Sequence, residues 1–446
     1  MPFNVIPCTE QDDSVGGVTG GLPSDDLIDG LGGNDTIQGG AGNDRILGGA
    51  GNDNIVAGDD NDTVDGGDGD DAITGNAGDD LIRGNGGNDR LEGGGGSDTV
   101  IGGGGNDTLT SGGAFDPGIS GLYGGSGNDA LLFSSGQGGL ADGGTGADLL
   151  WVTWYETSAV TFGLSGGSVG ATTLVATGME CLLITTFLGN DTITGGDLRD
   201  EIWVNQGLNV VDAGGGNDLV VVALDGTNHI DGGTGTDVLR ILATMSGVLN
   251  LDLSGMVGTD QFASQFVGIE RYQVYGTWQN EMATLASGHD LFRGNGGIDL
   301  ASGGGGDDRL FGGIGSDTLA GDGGSDWMAG GAGADALSGG SGADNFVFAR
   351  LGEGPDHIFD FATGEDVLVF HADLLNIGLG PGALDPSLFA NESPVGPGWQ
   401  FVLISSSPGT LASLRLMQDT GSGILSYDLF TFANSPGLTA SDILLI

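Results

Sequence analysis

From residue 28 an aliphatic side chain recurs every nine residues: Ile28, Ile37, Ile46, Ile55, Val64, Ile73, Ile82, Leu91, Val100 and Leu109. Two residues before each stands an aspartate: Asp26, Asp35, Asp44, Asp53, Asp62, Asp71, Asp80, Asp89, Asp98 and Asp107. Two residues before each Asp there is usually a Gly, and a clean unit reads GGAGNDRIL from Gly39 to Leu47. A period of nine fits neither an amphipathic helix nor a long alternating strand. It divides instead into a turn and a short strand. The turn is G-G-x-G-x-D, where Gly accepts positive φ and Asn or Asp caps the backbone. The last three residues can form a very short strand with one side chain pointing inward. One inward residue per strand makes no core by itself. Two nonapeptides per coil, stacked in layers about 4.8 Å apart, align the aliphatics between two parallel sheets.

A second register runs through Asp290, Asp299, Asp308, Asp317, Asp326, Asp335 and Asp344. Stacking places the Asp of unit n beside that of unit n+2. Ten units then give at most eight such pairs and seven give five. Aligned carboxylates at strand spacing repel, so a counter-charge is required. The protein does not supply it: 61 acidic residues face 10 basic ones, none of them Lys, for a formal net charge of -51. Carboxylates and turn carbonyls are oxygen ligands that suit a hard cation of Ca²⁺ size, and Mg²⁺, with its tighter octahedron, fits less well. Ser24 and Asp60 stand where Gly is expected, which predicts weaker binding at those turns. The alternative is that each Asp merely caps a Gly turn.

The unit G-G-x-G-x-D-x-U-x, where U is a large apolar residue, resembles the calcium-binding nonapeptide of the RTX (repeats-in-toxin) family. The resemblance covers about 21–110 and 288–347. It implies an all-β, right-handed parallel β-roll, a form of β-solenoid, with a C-terminal β-rich cap. It also implies Ca²⁺ held between successive turns, with the sixth-position Asp as side-chain ligand and turn carbonyls completing the shell.

Between the blocks the register breaks and returns, with isolated units at Asp129, Asp148, Asp191, Asp200, Asp218 and Asp237, and Asn209 at an intermediate position. DGGTGADLLW (142–151) resembles DGGTGTDVLR (231–240), and the apolar stretches that follow end in GMECLLI and GIERYQV. The middle reads as the same solenoid with degenerate, metal-poor rungs; an inserted globular domain is the alternative. The expected organisation is an N-terminal cap over 1–20, a first roll block over 21–112, a degenerate solenoid over 113–287, a second block over 288–347, and a cap with a secretion region over 348–446.

After Phe348 Gly thins out and aromatic residues rise. DHIFDFATGEDVLVF (356–370) reads as strands, MQDTGSGILSYD (417–428) as a hairpin, and the chain ends in LTASDILLI. These stretches resemble the C-terminal region of RTX proteins exported by type I secretion, which implies an uncleaved export signal there. An ordinary β cap is the alternative. MPFNVIPCTE carries no basic cluster and no long apolar run, so no N-terminal signal is expected. No stretch approaches the ~18 apolar residues of a bilayer span. The acidity disfavours nucleic acid and anionic membranes.

Catalytic patterns are thin. There is no H-E-x-x-H, and His229, His289, His357 and His371 are scattered. G-x-S-x-G occurs at Gly163–Ser165–Gly167 and at Gly166–Ser168–Gly170, without the helix that a nucleophile elbow needs. Trp151, Trp154, Tyr155, Phe162, Trp203, Tyr272, Tyr275 and Trp278 form either packing in degenerate rungs or a carbohydrate-stacking surface. Cys8 and Cys181 are expected to be free thiols. The functional expectation is a non-enzymatic secreted protein that folds on Ca²⁺ outside the cell, as a surface-layer, matrix or adhesion component. Its partners would be calcium ions, the type I secretion machinery, and itself or a surface polysaccharide. A hydrolase or polysaccharide-binding site within 150–287 is the alternative.

Overall fold

The computed structural model describes residues 4–9, 11, 13–16, 24–112, 119–134, 138–154, 160–164, 167–169, 172–224, 226–243, 249–254, 259–260, 264–348, 353–371, 382–383, 389–391, 398–404, 412–419, 424–433, 438 and 440–445. It is an all-β parallel solenoid, and the only helical turn among the described residues is Ala440–Asp442. The chain divides into two compact units. One comprises Met1–Val221 with His229–Gly235, and the other Val222–Asn228 with Thr236–Ile446.

In the first unit successive strands alternate between two sheets. Arg45–Ala50, Thr63–Asp68, Leu81–Gly86 and Thr99–Gly104 stack in one; Thr36–Ala41, Asn54–Asp59, Ala72–Ala77 and Arg90–Gly95 stack in the other. Pairing in this block is parallel, and Ile46 meets Val64 as Ile37 meets Ile55. The repeat period thus becomes one coil per two units. The strands are six residues long, not three. After the inward aliphatic the chain stays extended into the next Gly pair, and the second buried position is itself a glycine, such as Gly48. A side chain on Gly48 would collide with Asp53 and with the Gly66 carbonyl of the next coil, although Ala57 holds the same place in its own strand.

Between the regular coils the first unit inserts an antiparallel excursion. Gly167–Val169 lies between Val160–Gly163 and Thr172–Thr177, pairing antiparallel with both, before parallel stacking resumes at Thr192–Thr194. Ser168 is therefore a mid-strand residue opposite Thr161 and Thr173. Ser165 lies outside the described residues.

In the second unit six-residue strands (Leu291–Gly296, Arg309–Ile314, Trp327–Ala332) alternate with three-residue strands (Leu300–Ser302, Thr318–Ala320, Ala336–Ser338). Aromatics take over the core towards its C-terminal end. Phe361 packs against Phe346 and Phe432 at centroid distances of 5.8 and 5.7 Å, and Phe370 against Phe401 at 4.8 Å. Asp356–Ile358 and Val367–Phe370 enter opposite sheets, one each, like the halves of one more coil. Ala412–Asp419 and Ile424–Phe432 pair antiparallel as the expected hairpin, whose turn lies outside the described residues. Ile443–Leu445 adds in parallel to Leu368–Phe370, so the ILL run of the LTASDILLI segment is built into the sheet.

The core is one aliphatic deep. Ile37, Ile46, Ile55, Val64, Ile82 and Leu91 are 0% exposed. With so thin a core, each layer has no second shell into which a cavity can relax. Ile46→Ala in the Ca²⁺-loaded protein is expected to cost about 2–5 kcal/mol, read from the urea midpoint at constant slope. A loss below about 0.5 kcal/mol would contradict this packing.

Candidate metal centre

Every sixth-position Asp of the two regular blocks is buried, and the reason is local. The turn folds the carboxylate back under its own coil, where backbone N–H groups of the preceding coil receive it. Asp44 donates its N–H to Asp62 Oδ1 at 2.7 Å, Asp62 to Asp80 at 2.8 Å and Asp80 to Asp98 at 2.9 Å. The other ladder runs Asp35, Asp53, Asp71, Asp89, Asp107 at 2.8 Å per step. Asp26 opens the first ladder by donating to Asp44. All eight pairings anticipated in the first block are therefore made. So are the five in the second: Asp290 to Asp308, Asp299 to Asp317, Asp308 to Asp326, Asp317 to Asp335 and Asp326 to Asp344.

The second carboxylate oxygen is treated differently. Oδ2 of Asp53, Asp62, Asp71, Asp80, Asp89, Asp308, Asp317 and Asp326 is buried and has no hydrogen-bond partner. Burying an ionised oxygen without a partner is costly. Except at Asp62, where Ala57 holds the corresponding place, each of these atoms faces a small cradle floored by glycine. A methyl group on Gly75 would stand 2.3 Å from Asp80 Oδ2 and 2.3 Å from the Gly93 carbonyl oxygen; on Gly321 it would stand 2.1 Å from Asp326 Oδ2 and 2.6 Å from the Gly339 carbonyl. Glycine at this position thus leaves a carboxylate oxygen and a carbonyl oxygen converging on one space. That donor set fits Ca²⁺, which takes carboxylate and backbone oxygens in flexible numbers. Among the described residues no three carboxylate, imidazole or thiol groups converge, so carbonyls must supply much of any shell.

The isolated aspartates join the same rows. Asp107 donates to Asp129 Oδ1 and Asp129 to Asp148 Oδ1, each at 2.8 Å. Val160 donates to Asp191, Leu182 to Asp200 and Asp200 to Asp218. Spacing alone missed several members. Asp148 and Asp237 donate to Glu180 Oε2 and Glu270 Oε2, so a glutamate takes the ladder position after each long insertion. Glu281 holds the position nine before Asp290. It donates its N–H to Asp299 Oδ1 and turns Oε2 towards the Gly276 cradle. Asp366 and Asp356 extend the rows past Asp344 and Asp335. Asn209 accepts from Asp191, and Ser120 Oγ accepts from Asp98. The signal for Glu281 was present in the strict period. The insertions hid the others, because they add residues without changing which edge the turn returns to.

Burial shifts the carboxyls. Desolvation, supported by neighbouring carboxylates, pushes Asp62 and Asp71 up from 3.8 to about 7 and Asp308 to about 8, against the lowering effect of the N–H bond each accepts. A group whose pKa is higher in the fold than in the coil stabilises the fold below the coil value and loses that stabilisation as pH rises through the folded value. In chelator, acidification from pH 8 towards pH 4 is therefore expected to increase β structure, and the Ca²⁺ needed to fill the sites of the folded chain is expected to rise over the same range. A metal-free far-UV spectrum independent of pH would contradict this.

Other candidates stay apart. His289 faces Asp307 on an exposed turn, and His357 is bonded to Thr431 Oγ1. Phe162 and Tyr272 are core residues, whereas Trp151 and Trp278 are exposed and Trp203 donates to Glu201. Cys8 and Cys181 are free thiols. Among the described residues no helix is long and apolar enough to cross a membrane.

The family model of the RTX calcium-binding nonapeptide repeat (4 copies) matches residues 20–55, 47–82, 74–109, 83–116, 185–220, 286–319 and 311–346. Among solved structures the chain is similar to the AlgE6R3 subunit of the Azotobacter vinelandii mannuronan C5-epimerase, at 24% identity over 44% of this chain and 83% of that one, with a TM-score of 0.21. It is also similar to the extracellular lipase LipA from Serratia marcescens, at 15% identity over 60% of this chain and 40% of that one, with a TM-score of 0.20. No curated protein matches the chain.

Proposed function

Since the chain belongs to the RTX family and its nonapeptide repeats bind Ca²⁺, we propose that it is a secreted protein whose folding is switched by Ca²⁺ outside the cell. Its folded solenoid would then serve as a surface-layer, matrix or adhesion scaffold. One observation carries the reading. The ladder carboxylates that share an edge come from residues 18 positions apart, such as Asp53 and Asp71, so the site does not exist in the coil and binding is coupled to folding. Bound Ca²⁺ supplies the positive charge that lets like-charged carboxylates stack at coil spacing.

The residues divide the work simply. Asp Oδ1 atoms receive the N–H of the preceding coil, Oδ2 atoms and turn carbonyls face the cradle, and glycine keeps it open. The side-chain ligands would be the aspartates of both blocks, with Asp129, Asp148, Asp191, Asp200, Asp218 and Asp237 in the middle. Extracellular Ca²⁺ modules work at roughly 10⁻⁴–10⁻³ M, far above cytoplasmic levels. The chain would therefore cross the envelope unfolded, through type I machinery that reads the C-terminal region, and fold afterwards. The scaffold role is tested by light scattering across a Ca²⁺ titration. Reversible Ca²⁺-dependent self-association supports it, and a holo form that stays monomeric at all concentrations counts against it.

A further inference from the structure

Basic residues are scarce in this chain, yet Arg271, Arg293 and Arg309 line one cleft of about 530 Å³ in the second unit. Parallel register brings them together. Gln273, Leu291, Arg309, Trp327 and Asn345 form a column across successive strands, one residue per coil. Tyr275, Arg293 and Phe311 form the next column on the same outward face. The Arg293 guanidinium lies over the Phe311 ring, 4.8 Å from its centroid. Arg271 Nε donates to the His289 carbonyl at 3.3 Å.

Among the described residues none of these arginines has a carboxylate within ion-pair distance; the pairs present are His289–Asp307 and Arg415–Asp428. The acidic residues of the cleft accept backbone N–H bonds. Asp290 and Asp308 are buried, with Oδ1 taken by the N–H of Tyr272 and of Asp290. Asp307 Oδ1 accepts the Ser325 N–H. Three arginines free of ion pairs thus stand together on a strongly negative protein, with Asp290, Asp307 and Asp308 at the same cleft and the half-buried faces of Trp327 and Phe311 beside them.

We infer that this cleft binds an acidic saccharide, with the guanidiniums holding a ring carboxylate and Trp327 stacking on the sugar face. Arginine forks match carboxylates, and an aromatic ring offers a flat apolar face beside polar groups. The amides of Gln273 and Asn345 supply both donors and acceptors for ring hydroxyls. Charges more than about 8 Å away are largely screened at physiological salt, so the arginines and aspartates of the cleft itself, and not the net charge of the chain, set the local field. A nucleic acid, with one charge per about 1.7 Å of duplex, would press further phosphates onto the acidic surface around the cleft. An acidic peptide carries carboxylates but no ring for Trp327. The inference rests on the preceding reading only in requiring the Ca²⁺-folded chain.

The test is calorimetric titration of the full Ca²⁺-loaded chain with a uronic-acid tetrasaccharide, the same saccharide with its carboxyls reduced, and a glutamate tetrapeptide. Saturable binding of the first is expected, weaker by about tenfold or more, or about 1.4 kcal/mol, for the other two. Trp327→Ala and Arg309→Ala should each lose a similar factor while keeping the far-UV spectrum; Arg293→Gln replaces either variant if it does not fold. Absent binding, equal binding of the reduced saccharide, equal binding of the peptide, or folded variants that bind unchanged would each overturn the inference. A wild-type chain that fails to fold with Ca²⁺ would instead overturn the preceding reading.

Discussion

Far-UV circular dichroism of the chain in chelator at pH 7.5 is expected to show coil, and added Ca²⁺ to convert it to β structure in one steep transition, with Mg²⁺ ineffective at equal concentration. The size of the effect follows from the ladders. In the first block alone, eight carboxylate pairs must be brought to coil spacing, and their side chains are buried. Without a cation this arrangement is opposed by repulsion and by desolvation. Each cradle uses atoms of adjacent coils, such as Asp80 Oδ2 and the Gly93 carbonyl. Filling one site therefore orders half of the next, and the Hill slope should be well above one. A slope of one would mean independent sites. A chain already folded in chelator at this pH would mean that the aspartates act as turn caps and that the absence of Ca²⁺ does not keep the chain unfolded for export.

Gly75→Ala should be strongly damaging in the first block. Gly75 is buried, and its added methyl would overlap both Asp80 Oδ2 and the Gly93 carbonyl. It fills the cradle. Overpacking of this kind costs about 1–3 kcal/mol, and loss of one site saturated at a hundredfold excess over its Kd forfeits a further ~2.7 kcal/mol. The Ca²⁺ midpoint should rise severalfold and the urea midpoint at saturating Ca²⁺ should fall. Gly86→Ala is the matched control, because the nearest atom to its added methyl is 3.8 Å away, and it should stay within about 0.5 kcal/mol of wild type. If both variants behave alike, the cradle is not the metal site and the loss reports glycine content alone.

Much of this was legible in the residues because the repeat is local. A nine-residue period with one aliphatic and one Asp per unit admits few structures, and the pairing of Asp53 with Asp71 follows from counting two units per coil. Strand length was not legible. Gly48 has no side chain to mark it as inward, so the extended chain looked three residues long where it is six. The ladder positions of Glu180, Glu270, Asp356 and Asp366 were also hidden. An insertion changes the spacing along the chain but not the edge to which the turn returns.

The arginine cleft illustrates the remaining limit. Arg271, Arg293 and Arg309 are 22 and 16 residues apart in the chain, and nothing in that spacing marks them as neighbours. Composition, period and charge determined by themselves that this chain stacks, that its stacked carboxylates need a cation, and that the cation is not protein. Only the tertiary structure decided which carboxylate oxygen is left for that cation and which outward side chains meet across coils. Both depend on how far each turn rotates the chain between layers, and that rotation is set by packing of one coil on the next.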